Sequence, residues 1–198
     1  MAKLFIEYLA MQMNSSKIKT CLELAIKAAA EASRELLSHV NDQNESLVIR
    51  AKRDGSLVSS VDLESHQIIE GILSEIGIPI ISEEGKLPSF SERKDWAMFW
   101  FVDPLDGTES YLKSRSGFAV NIALCDQSGP FLGVIADPLA GIIYGGAKGI
   151  DPFTCPIEST THRNNFSADF KIRITFSGIE NLDSWERMSP NLNSINNR

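Results

Sequence analysis

Apolar residues recur at helical spacing between Ile18 and Val40, through Leu22, Ala25, Ile26, Ala29, Leu36 and Leu37, with Lys19, Glu23, Lys27, Glu31 and Arg34 on the remaining surface. A stripe of that period predicts a long amphipathic helix packed on a core. Residues 41–45 form a polar break, and residues 50–56 a charged loop containing the turn pair Asp54-Gly55. From Asp62 the helical period returns: Ile68, Ile69, Ile72, Leu73 and Ile76 make an apolar face that ends at Gly77, a residue type that readily closes a helix.

Residues 78–81 and 98–102 are short uninterrupted apolar runs, expected as buried strands. The second should stop at Asp103, because Pro104 has no N–H and a fixed φ. Strands are expected over 118–125 and 131–136, joined by a turn at Ser128-Gly129-Pro130, with a further strand or strand pair over 141–147. Hairpins of this kind on a helix pair imply an α+β fold with a mainly antiparallel sheet. Residues 151–165, rich in Pro, Ser, Thr and Asn, read as a loop or linker. Residues 171–176 alternate as a strand does, and 189–198 fade into a polar tail.

Composition narrows the function classes. With 198 residues and 43% hydrophobic content the chain can bury a core, and its net charge of −7 offers no basic field for a nucleic-acid polymer. A small phosphorylated ligand stays compatible, since a bound cation inverts the local field. Cys21, Cys125 and Cys155 have neither paired nor metal-site spacing, which suits a reducing compartment and makes the cytoplasm the expected location. The stretch 1–13 is mildly apolar but is interrupted by Glu7 and followed by no small-residue cleavage site. No apolar run approaches the roughly 20 residues of a bilayer span, so a soluble protein is expected.

The string Trp100-Phe101-Val102-Asp103-Pro104-Leu105-Asp106-Gly107-Thr108 sets two carboxylates and a hydroxyl at the abrupt end of an apolar run. Gly107 lets the backbone approach a ligand, and Thr108 stands where a helical turn would begin, with N–H groups that favour an anionic oxygen. The other run, Ile78-Pro79-Ile80-Ile81-Ser82-Glu83-Glu84-Gly85, delivers Glu83 to a sheet edge. Magnesium takes a few carboxylates together with waters and phosphate oxygens, so Glu83, Asp103 and Asp106 suit Mg²⁺ better than Ca²⁺. The lack of Cys and His in both segments argues against zinc.

Plainer readings stand beside these. Glu84 is equally a solvated turn residue, Lys52 reads as a solvated loop lysine before a phosphate-steering one, and Asp62 is a favoured N-cap for the N–H groups of Glu64 or Ser65. His66 reads as a partly exposed helix residue rather than a base. Neither His39 nor His162 lies near a Ser or Cys motif, so a hydrolytic triad is not supported.

In this order, the strings "LVSSVDLESHQII", "IPIISEEG", "FWFVDPLDGTESYLK" and "FAVNIALCDQSGPFLGVIADPLAGIIYGGAKG" resemble the inositol monophosphatase-like superfamily of Mg²⁺-dependent, lithium-sensitive phosphatases. Within it they look most like the 3′(2′),5′-bisphosphate nucleotidases of sulfate assimilation. The resemblance implies an inositol-monophosphatase/fructose-bisphosphatase-like layered α/β sandwich, with an N-terminal metal-binding phosphatase domain over 1–168 and the start of an incomplete C-terminal α/β domain over 169–198. It implies that Glu83, Asp103 and Asp106 hold Mg²⁺ through carboxylates and Leu105 through its carbonyl. Thr108 would sit beside the nucleophilic water and Asp62 would bond Thr108, so that Asp62, Thr108 and Glu83 are catalytic while Gly107 and Thr108 meet the substrate. Water would attack phosphorus directly, without a phosphoenzyme. The implied activity is phosphate release from nucleosides such as adenosine 3′,5′-bisphosphate.

The chain also departs from the pattern. Glu109-Ser110-Tyr111 follow the D-G-T where the nucleotidase branch usually has Lys-Glu-Phe. The superfamily's downstream Trp-Asp motif has no counterpart before Arg198, since the only late tryptophan, Trp185, is followed by Glu186 and Arg187. The chain therefore reads as C-terminally truncated, with low expected activity and a tendency to self-associate. An inositol phosphate or sugar bisphosphate substrate, and a non-catalytic metal-binding remnant, are the alternatives. A haloacid-dehalogenase-type phosphatase is disfavoured, because its acids are spaced D-x-D while Asp103 and Asp106 are three apart.

Overall fold

The computed structural model describes residues 13–41, 48–51 and 57–158. Helix α1 (Ser15–Asn41) is followed by a hairpin of β1 (Ile49–Ala51) and β2 (Leu57–Ser59), which leads directly into α2 (Ser60–Leu73). Strand β3 (Ile80–Ser82), the one-turn helix α3 (Phe90–Arg93), β4 (Met98–Asp106) and α4 (Thr108–Ser114) come next. Strands β5 (Ala119–Asp126), β6 (Gly129–Asp137), β7 (Ile142–Ala147) and β8 (Ile150–Pro156) complete the described fold. Strands β3 to β8 form one six-stranded sheet in chain order; β3 runs parallel to β4 and every later pair is antiparallel. This is the expected α+β layering of a helix pair on a mainly antiparallel sheet.

The apolar stripe of α1 explains the packing. Leu22, Ala25, Ile26, Ala28, Ala29, Ala32 and Leu36 are buried in one cluster with Ile122, Leu124, Leu132, Val134 and Ile143 of the sheet. Four alanines on that face let the helix axis approach the strands closely, and each large aliphatic side chain withdrawn from water stabilises the layer by about 1.5–3 kcal/mol. Helix α2 contributes Val61, Ile69 and Leu73 and lies against β4, whose Trp100 and Val102 are fully buried. The opposite sheet face carries a smaller cluster of Ile81, Phe99, Phe101, Ala123 and Cys125. Tyr111 of α4 donates to the Leu36 carbonyl at 3.0 Å, tying the helix after the acidic turn to α1. No helix among the described residues is long and apolar enough to cross a membrane.

Three elements differ from the sequence expectation. Strand β4 does not stop at Asp103; it continues through Pro104 to Asp106, and the pairing with β5 shifts between Asp103 and Asp106. The missing N–H of Pro104 falls in that irregularity, where no ladder bond needs it. Residues 151–156, expected as part of a loop, lie in β8, because Phe153 and Cys155 alternate inward against β7 and the ring of Phe153 covers Gly145. Helix α2 ends at Leu73 rather than running to Gly77; a short 3₁₀ turn (Ser74–Ile76) intervenes, and Gly77 closes it at φ 67°. The domain boundary at 168/169, the strand over 171–176 and Lys52 lie outside the described residues.

Candidate functional site

The parallel pairing of β3 with β4 brings the two acidic turns side by side. Ser82 stands opposite Val102 in the register, and the N–H of Glu83 bonds the Val102 carbonyl at 3.0 Å, so Glu83 begins where β4 reaches Asp103. Asp103 is buried, Asp106 half-buried and Glu83 exposed, giving a graded opening from sheet to solvent. Burial, then the charges of Glu83 and Asp106, then a hydrogen bond shared with Glu83 push the Asp103 carboxyl up to about 8. Three acids therefore act on one another around Asp103, whose Oδ1 also accepts the Leu105 N–H at 3.3 Å.

The turn after β4 is built on a steric requirement. Gly107 holds φ 90°, and a Cβ there would lie 2.5 Å from the Gly117 carbonyl oxygen, so only glycine fits. That turn starts α4 at Thr108. Thr108 Oγ1 stands 2.8 Å from Asp62 Oδ1 and 3.1 Å from the Leu105 carbonyl, and its single hydrogen goes to the nearer carboxylate.

Asp62 is not the N-cap of α2. Ser59 is, and Asp62 sits three residues on in a capping box, its Oδ2 accepting the Ser59 N–H at 2.8 Å and the Ser59 hydroxyl as well. The helix cap thereby fixes a carboxylate whose other oxygen faces Thr108. Strand β2 runs straight into the helix, which leaves Ser59 as the residue with extended backbone and moves Asp62 inward by one turn.

Two neighbours and one contact escaped the sequence reading. Asn121 Nδ2 donates to Asp106 Oδ2 at 3.1 Å, and Ser65 Oγ donates to the Pro104 carbonyl at 2.8 Å. A lone amide inside the apolar run Ala119–Asp126 was the available signal for Asn121; Ser65 carried none. His66 is the partly exposed helix residue expected, and its Nδ1 also lies 2.9 Å from Ser82 Oγ. Glu84 is half-buried and Leu105 buried.

Among the described residues, one group of three His, Cys, Asp or Glu side chains has ligand atoms all within 4.8 Å of one another, and it lies elsewhere: Glu35, His39 and Glu64. There Nε2 of His39 faces Glu35 at 3.2 Å and Glu64 at 2.9 Å, a polar clasp between α1 and α2.

The model of the inositol monophosphatase family matches residues 17–189. The chain is 35% identical over 122 residues to the 3′(2′),5′-bisphosphate nucleotidase CysQ of Shigella flexneri, an alignment covering 61% of this chain and 49% of that protein. CysQ from Bacteroides thetaiotaomicron, a bacterial member of the inositol monophosphatase family, superposes with a TM-score of 0.61 at 30% identity, over 79% of this chain and 54% of that one. An inositol monophosphatase from Anabaena gives 0.55 at 28% identity, over 70% and 48%. The chain spans about half the length of the curated relatives it matches.

Proposed function

We propose that this chain, which belongs to the inositol monophosphatase family, contributes the cation-binding and water-orienting residues of a phosphomonoesterase acting on 3′(2′),5′-bisphosphorylated nucleosides. The observation that carries the reading is the convergence on Asp103: a buried carboxyl raised to about 8 by its surroundings and by two neighbouring acids is a place where positive charge is wanted. The donor set fits a hard divalent cation. The carboxylates of Glu83, Asp103 and Asp106 and the Leu105 carbonyl are all oxygen, which favours Mg²⁺ over softer ions. When bound, the cation supplies charge against the phosphoryl oxygens and acidifies nearby water.

The rest is work of the chain's own groups. Asn121 holds one oxygen of Asp106 in place. Asp62 takes the hydroxyl hydrogen of Thr108, which leaves the Oγ1 lone pairs to accept a hydrogen from an attacking water. The glycine turn lets the backbone at Gly107 and Thr108 lie against a phosphate oxygen. Such positioning by fixed dipoles is where most of the acceleration of phosphoryl transfer arises.

The nucleotidase assignment draws on the CysQ relatives; the Anabaena neighbour supports inositol monophosphate as the second reading. Phosphate release from adenosine 3′,5′-bisphosphate and from inositol 1-phosphate, under matched Mg²⁺, separates the two. Faster release from the nucleotide is expected. Faster release from the inositol ester would overturn the substrate assignment and leave the reaction class standing.

A further inference from the structure

The face of α2 that carries Asp62 also carries Ser65 and His66, three and four residues on, the spacing at which helical side chains point the same way. Each is bonded to a different segment of the site: Asp62 to Thr108, Ser65 to the Pro104 carbonyl, His66 to Ser82. The first two hold the end of β4 and the start of α4. The third holds the turn after β3, and the proposed reaction gives it no role.

Ser82 is buried and immediately precedes Glu83. The turn it opens folds back at once, since the N–H of Gly85 bonds the Ser82 carbonyl at 3.1 Å, and a Cβ on Gly85 would lie 3.4 Å from Cε1 of the His66 ring. The imidazole therefore lies beneath the turn that aims Glu83. Glu70, one helical turn on, has Oε2 3.7 Å from His66 Nε2 and favours the tautomer with hydrogen on that nitrogen. Nδ1 is then left to accept the Ser82 hydroxyl hydrogen.

We infer that His66 is a positioning residue, which, through its bond to Ser82, fixes the turn that carries Glu83 and so sets the affinity of the acidic site for a divalent cation. The inference rests on the cation reading of Glu83, Asp103 and Asp106. Groups that orient a ligand from behind typically change metal affinity by about 10–100-fold when removed. An exposed glutamate on a four-residue turn needs such support more than Asp103, which the sheet already holds.

The test is Mg²⁺ titration by calorimetry on the full chain, with thermal melting of the same samples in EDTA. His66→Leu keeps the burial and removes the bond; His66→Asn keeps a polar atom near Nδ1; Ser82→Ala removes the other partner. Expected are a loss of about tenfold in Mg²⁺ affinity for His66→Leu and for Ser82→Ala, recovery of most of it in His66→Asn, and a double variant of His66→Leu with Ser82→Ala no worse than either alone. If His66→Leu fails to fold, Ser82→Ala decides alone. Affinity within twofold of the parent in the folded variants, or losses that simply add, overturns the positioning role. A parent chain that takes up no Mg²⁺ instead overturns the cation site itself, and the inference with it.

Discussion

Asp62 and Thr108 are joined by a hydrogen bond of 2.8 Å between Oγ1 and Oδ1, while the second oxygen of the same carboxylate closes the N-terminus of α2 through Ser59. One buried side chain thus serves both the helix and the site. Asp62→Ala should cost about 1–3 kcal/mol in urea unfolding, since it removes one half of the capping box and leaves the Ser59 N–H without that acceptor. Asp62→Asn, which still offers one acceptor oxygen, should cost less. Phosphate release should fall in both variants, because the Thr108 hydroxyl is no longer held by a carboxylate.

Gly107 and Gly141 both have positive φ, 90° and 68°, but only the first meets an obstacle, the Gly117 carbonyl at 2.5 Å from an added Cβ. Alanine at 141 should cost about 1 kcal/mol of backbone strain. Alanine at 107 must also displace backbone and should cost clearly more, about 3 kcal/mol, together with phosphate release. Comparing the two urea midpoints checks this.

Asp103 sets the pH dependence. Its folded value of about 8 lies above the ordinary carboxylate value near 3.9, so the folded chain holds this proton more tightly than the unfolded chain does. The stability it contributes in EDTA is therefore complete below about pH 4 and is lost as pH rises through about 8. Cation affinity runs the other way, because the proton must leave. It should strengthen by up to about tenfold per pH unit between about pH 6 and 8, then level off. Urea unfolding in EDTA and Mg²⁺ titration across that range should show opposite slopes.

The helix pair and the strands up to β7 were legible because Leu22, Ile26, Leu36 and Ile69 repeat at helical spacing and because turn residues separate the strands; the parallel pairing of β3 with β4 was not. The family resemblance in the sequence strings agrees with the family match over residues 17–189. What stayed hidden depends on pairing. Strand β8 was masked by Pro152, Thr154 and Pro156, which look like loop residues until Phe153 and Cys155 find β7. The pairing of β4 beyond Asp103 was hidden because a proline in an irregular ladder reads like a proline that ends one. Asp103, Asp106 and Glu83 announced themselves as acids after apolar runs. Asn121, Ser65 and the His66–Ser82 bond did not, since each depends on which segments the sheet and α2 bring together.

The claim on which everything else depends is that Glu83, Asp103 and Asp106 hold a divalent cation, and Mg²⁺ titration calorimetry on the parent chain and on Asp106→Asn tests it most directly. Asp106→Asn keeps the size of the side chain and removes its charge, so fold and Asn121 contact should survive. The account predicts saturable binding in the parent and at least about tenfold weaker binding in the variant; equal affinity in the two, or no uptake by the parent at a pH above about 8, would contradict it.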